Sequence, residues 1–99
     1  MSLTGKQRRH LRALGHHIDP LVQLGKQGLT DGIIKAVSDA LEQHELVKVR
    51  LGTECPDHRT AVAERLPGAV KAELAQQLGR TLLLYRKHPK EAKITLPKG

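Results

Sequence analysis

Between residues 30 and 51 the hydrophobic pattern switches from a helical to a strand period across one residue, Glu45. Residues 30–44, TDGIIKAVSDALEQH, set Ile33, Ile34, Val37, Ala40 and Leu41 in one apolar stripe, which predicts an amphipathic helix. Thr30 is a good N-cap, and Asp31 stands in the first turn, where the helix dipole favours an acid. Lys35 can pair with Asp39 one turn on. Residues 46–51, LVKVRL, then alternate strictly. Val47, Val49 and Leu51 face one way, and Leu46, Lys48 and Arg50 face the other, as in a half-buried strand. A helix feeding straight into such a strand points to helices layered on a sheet.

The flanking segments continue that alternation. Residues 4–15, TGKQRRHLRALG, predict a helix with Thr4 as its cap and Gly15 as its end. Leu11 and Leu14 lie together on it, while Lys6, Arg8, Arg9 and Arg12 fill the opposite half with no acid among them. Residues 18–24, IDPLVQL, predict a short strand with Pro20 near its start. A helix is expected over 57–66, interrupted at Pro67-Gly68 and resumed over 69–78. There Val70, Leu74 and Leu78 fall in line and Gly79 is a natural cap. Residues 80–86 carry apolar side chains on both faces and predict a central strand. After a turn at His88-Pro89, residues 93–96 predict a last short strand and 97–99 a frayed end. The order α-β-α-β-broken α-β-β implies an α/β fold, a two-layer sandwich on a four-stranded mixed sheet. Strands separated by helical crossovers are expected to be parallel, and the last two, joined by a short link, antiparallel.

At 99 residues this is one small domain, expected to span 1–97 with 98–99 as a tail. Its core is aliphatic, because the chain has no Trp, no Phe and a single tyrosine, Tyr85. That argues against surfaces that bind bases by aromatic stacking. The longest apolar run is Leu82–Tyr85, far short of the roughly 20 residues of a membrane helix, so no membrane association is expected. The N-terminus lacks the apolar stretch of a signal peptide. One cysteine, Cys55, allows no internal disulfide and fits a reducing compartment, so a cytoplasmic location is expected.

The charge narrows the partners. Seventeen Lys/Arg against ten Asp/Glu give a net +7. Residues 1–36 hold six bases and two acids, 37–79 five and seven, and 80–99 six and one. The excess therefore sits at the two chain ends, which form one positive face if they fold together. Lys48 and Arg50 extend a basic strip on the sheet, and Arg86 and Lys87 add to it near the C-terminus.

Gly25-Lys26-Gln27-Gly28 lies between a predicted strand and a capped helix. The first amides of a helix have no partner inside it, so this loop, with Lys26 and Thr30, can cradle a phosphate. It lacks the G-x-x-x-x-G-K-[ST] phosphate-loop pattern and the third glycine of a dinucleotide fingerprint. Cys55 and His58 have C-x-x-H spacing, but no second pair completes a metal site and no third group orients a catalytic dyad. No catalytic residues, metal, cofactor or small-molecule substrate are expected.

The opening Leu3-Thr4-Gly5-Lys6-Gln7-Arg8-Arg9-His10-Leu11-Arg12 resembles the first helix of the CRM domain family in its stand-alone bacterial, YhbY-like form. Val22 to Thr30 resembles its glycine loop, and His44–Val49 and Gly79–Arg86 resemble two of its strands. The resemblance covers essentially the whole chain. It implies an RNA-binding domain with a fold similar to the C-terminal domain of translation initiation factor 3, with an extra N-terminal helix. It also implies association with rRNA in precursors of the large ribosomal subunit, as an assembly factor. The GxxG loop carries over to Gly25, Lys26, Gln27 and Gly28, and the basic helix to Arg8, Arg9 and Arg12. With Lys6, Thr30, Arg86 and Lys87, these are the expected RNA contacts. The alternative is a basic adaptor that binds an acidic protein surface.

Overall fold

The computed structural model describes residues 3–98. Helices α1 (Gly5–Gly15), α2 (Asp31–His44) and α3 (Arg59–Ala69) alternate with strands β1 (Pro20–Leu24) and β2 (Leu46–Leu51), and the hairpin β3 (Glu73–Leu78) and β4 (Thr81–Tyr85) follows. The four strands form one mixed sheet in the order β1-β2-β4-β3. β1 and β2 run parallel, joined by the α2 crossover, and β4 is antiparallel to both β2 and β3.

The alternation read in β2 decides the layers. Val47, Val49 and Leu51, with Leu82 and Leu84 of β4, pack under α2 and α3 in the main core. Leu46, Leu83 and Tyr85 point to the opposite face, where Leu3 and Leu11 cover them. The two-layer body is thus the sheet with α2 and α3, and α1 is an additional helix on the other side. β4 is central and buried on both faces, as its sequence predicts.

Three expectations are corrected. Residues 69–78 are not a resumed helix. α3 runs through Pro67, which lies in its last turn, and Lys71 then takes a left-handed φ of 54°. The chain turns there into β3, which forms a hairpin with β4. Val70, Leu74 and Leu78 imitate a helical stripe, yet Val70 is buried while Leu78 is 65% exposed. A register shift between Leu74 and Gln76 hides the strand alternation. Gly79, with φ 58°, serves the two-residue hairpin turn instead of a helix cap. Secondly, β2 and the strand at 81–85 are antiparallel, because β3 takes the parallel direction and β4 inserts between them. Thirdly, residues 93–96 form no strand. The Lys93 and Ile94 amides donate instead to the carboxylate of Glu45, and His88 N donates to its other oxygen.

Glu45 joins α2 to β2 with a left-handed φ of 59°, and it is 1% exposed. Burial alone would raise its pKa. The amides of His88, Lys93 and Ile94, with the nearby His88 ring, outweigh that and hold it below the ordinary carboxylate value. Burial, and then the Glu45 charge, push Tyr85 upward. The same clamp positions Pro97, whose carbonyl accepts from Gln7 Nε2 at 3.1 Å, so the expected fraying does not begin there. Gly99 lies outside the described residues.

Candidate nucleic-acid interface

α1 begins in a reciprocal cap. Gln7 N donates to Thr4 Oγ1 at 3.1 Å, and Thr4 N donates to Gln7 Oε1 at 3.0 Å. The helix buries Gln7, Leu11 and Gly15. Gly15 is needed for proximity, because a Cβ there would stand 2.8 Å from Leu83 Cδ2. It is the last helical residue, as the sequence predicts, but it has no positive φ, so it serves close approach to the sheet and not a left-handed cap. Lys6, Arg8 and Arg9 are left exposed and Arg12 half-buried.

Around the helix, Gln7 and Leu14 lie on one side of Leu11, and Gly15, Arg8 and Arg12 on the other. The C-terminal segment meets the Gln7 side through Pro97, and Ile94 and Leu96 pack into the cluster with Leu3 and Leu11. Arg8 and Arg12 therefore flank the part of the sheet face that α1 leaves open. Leu83, under Gly15, pairs with Lys48. Two residues further along the strands, the next row on that face is Gln23–Arg50–Thr81–Leu78. Gln23, Arg50 and Leu78 in this row are exposed. Such a step is about 7 Å. Arg50 occupies the middle of the row, while Lys48 Nζ is held by Ile18 O at 3.1 Å.

One residue past this row β1 ends and the glycine loop begins. Gly28 N donates to Gly25 O at 3.0 Å, which closes a four-residue turn with Lys26 and Gln27 exposed at its tip. The two glycines differ. Gly28 has φ 69° and is packed on Asp57 and Pro56, whereas a Cβ on Gly25 would meet nothing. Asp57 Oδ2 accepts from Leu29 N at 2.8 Å, and Thr30 Oγ1 accepts from Ile33 N at 3.2 Å. Part of the amide set that the sequence offered to a phosphate is thus already satisfied within the protein. The outward features are the turn tip and Lys26.

Two expected contacts fall elsewhere. Arg86 is a structural clamp. Its guanidinium donates to Val70 O at 2.8 Å, Ser38 O at 2.8 Å and Ser38 Oγ at 3.1 Å, and it pairs with Glu42 at 3.5 Å. Lys87 is exposed and lines a groove of about 420 Å³ with Gln7, Pro97 and Lys98. The basic chain ends do meet across α1. Lys87 and Lys26, however, sit at opposite ends of the sheet, because β4 runs from Arg80, beside Leu51, to Tyr85.

Cys55 and His58 border a cleft of about 220 Å³ together with Arg59 and Arg80. Each is turned to backbone: Cys55 Sγ lies 3.7 Å from Asp57 O, and His58 Nδ1 accepts from Thr60 N at 3.1 Å. Among the described residues no group of three His, Cys, Asp or Glu is placed to hold a metal ion. No described helix is long and apolar enough to cross a membrane. Sequence reasoning noted Lys48 and Arg50 only as a strip, and missed Asp57 and Glu45. Asp57 acts on a residue 28 positions away, for which no local signal exists.

Known proteins resemble this chain over nearly its whole length. A Bacillus subtilis protein named "Probable RNA-binding protein YqeI" is 41% identical over 96% of this chain and 99% of its own length. A Haemophilus influenzae protein named "RNA-binding protein" is 37% identical over 98% of this chain and 97% of its own. A Staphylococcus aureus protein of known solution structure superposes with a TM-score of 0.81 at 42% identity, covering 96% of this chain and 99% of the other. The profile of the CRS1/YhbY (CRM) domain matches residues 3–86, and the chain belongs to that family.

Proposed function

We propose that this chain binds RNA through α1, the Arg50 row and the Gly25–Gly28 turn, as one non-enzymatic unit over residues 1–97. The observation that carries the reading is the row Gln23–Arg50–Thr81–Leu78, exposed at all but the half-buried Thr81 and open between a helix with four bases and no acid and a turn tipped by Lys26. The names of the relatives support the class of partner. Arg86 has no place among the contacts. Phosphate contacts of this kind orient a protein and carry little sequence information. The substrate is rRNA in precursors of the large ribosomal subunit, where the protein acts as a cytoplasmic assembly factor; this part rests on the family resemblance.

The test is sedimentation of tagged protein from lysate, with and without nuclease, beside RNA affinity measured against salt. Co-migration with large-subunit precursors, abolished by Arg8→Glu with Arg12→Glu, supports the reading. Each base that contacts a phosphate should lower the magnitude of the salt slope by about 1 when removed. Association with a protein that survives nuclease would instead favour the adaptor.

A further inference from the structure

We infer that the RNA this surface takes is base-paired, held by its phosphates on two strands, and not a single strand read by its bases. The inference rests on the proposed RNA-binding reading and names the RNA class.

Single-strand binders gain most from stacking. Each base laid on an aromatic side chain adds roughly 5- to 150-fold in affinity. This surface has no Trp, Phe or Tyr side chain to offer; the rings near it are the smaller imidazoles of His10 on α1 and of His16 and His17 just after it. The whole chain contains no Trp or Phe, and its only tyrosine, Tyr85, is 4% exposed beneath α1 and the C-terminal segment. What it does offer is charge on rigid supports. Arg8, Arg9 and Arg12 stand on a capped helix whose underside is locked to the sheet through Leu11 and Gly15. Arg50 stands on a strand paired on both sides. Lys26 stands on a turn closed by its own hydrogen bond.

These supports sit at successive levels along the strands. α1 covers the level of Lys48 and Leu83, Arg50 lies one step beyond, and the turn follows Leu24, which pairs with Leu51. At about 3.3 Å per residue the basic flank of α1 and the turn tip are roughly 15 Å apart, with Arg50 between. A fixed array that wide suits a partner that is itself stiff and carries phosphates on both sides of a groove. A duplex has that form, and shape and backbone contacts dominate its recognition. A flexible strand would lose its freedom on this array with no Trp, Phe or Tyr platform to compensate.

The experiment measures fluorescence anisotropy of the full chain with a 14-base-pair RNA hairpin closed by a four-nucleotide loop and with an unstructured 32-nucleotide strand, so that phosphates are matched in number. The expected result is hairpin binding at least about tenfold tighter at 100 mM salt. If about five phosphates are neutralised, the log–log salt slope should be near −4.5 on the duplex and near −3.5 on the strand. Lys26→Glu and Arg12→Glu should each weaken the hairpin complex, because one duplex spans both. Equal or tighter binding of the strand overturns the inference and leaves RNA binding standing. Failure to bind either RNA removes both.

Discussion

Replacing Glu45 with glutamine keeps the shape of the side chain and removes its charge. Three amides converge on the carboxylate, His88 N on one oxygen and Lys93 N and Ile94 N on the other. A glutamine can aim its oxygen at the latter two, but its NH₂ then faces the His88 amide. One charge-assisted hydrogen bond is lost and two become neutral. With about 1.5–3 kcal/mol for a bond to a charged group and about 1 kcal/mol for a neutral one, docking of the C-terminal segment weakens by about 2.5–7 kcal/mol. The freed amides belong to a surface segment and can turn to water, so the sheet survives while residues 88–97 detach. Native-state hydrogen exchange at pH 7 should show Lys93 and Ile94 losing protection in the variant, with Leu82–Leu84 still protected. Acid should reproduce this in the wild type. The pKa of folded Glu45 lies below the ordinary 4.5, so its contribution is complete above that value and is lost as pH falls through the lower folded one. Unchanged protection at Lys93 and Ile94 in the glutamine variant would refute the clamp.

The two loop glycines should respond differently: Gly28→Asp places its side chain into the Asp57 carboxylate and should lower the melting temperature, while Gly25→Asp should fold normally and weaken RNA binding through charge. Gly15→Ala crowds Leu83 and should cost about 1–3 kcal/mol, roughly 4–8 °C in melting temperature per kcal/mol, in a thermal melt. Arg86→Ala strips the Ser38 and Val70 carbonyls of their donor and should destabilise by about 2–4 kcal/mol in urea titration, with a normal salt slope for RNA binding by whatever protein stays folded.

Much of this organisation is legible in the residues. The stripe of α2, the alternation of β2 and the double-sided apolar run of β4 each match their burial. The basic face of α1 is turned outward as read, but its buried side is Gln7, Leu11 and Gly15, while Leu14, read beside Leu11, is 37% exposed. What escaped depends on tertiary partners. β3 is masked by a bulge, and its Val70–Leu74–Leu78 spacing satisfies a helix as well as a strand entered from a helix end. Arg86 looks like surface charge until Ser38 and Val70 are folded around it. Glu45, flanked by apolar and polar neighbours alike, carries no sign that residues 43 or more positions away will donate to it. The glycine loop was found by its spacing. Only the structure separates Gly28, which needs a positive φ, from Gly25, which does not.

Backbone NMR of isotope-labelled protein titrated with the RNA hairpin tests most directly where RNA sits. The amides of Arg8, Arg12, Arg50 and Lys26 should shift or broaden together, while Lys35, Asp39 and Glu42 on the outer side of α2 stay in place. Shifts confined to α2 and α3, with α1 and the Arg50 row unmoved, would contradict the assignment of this face.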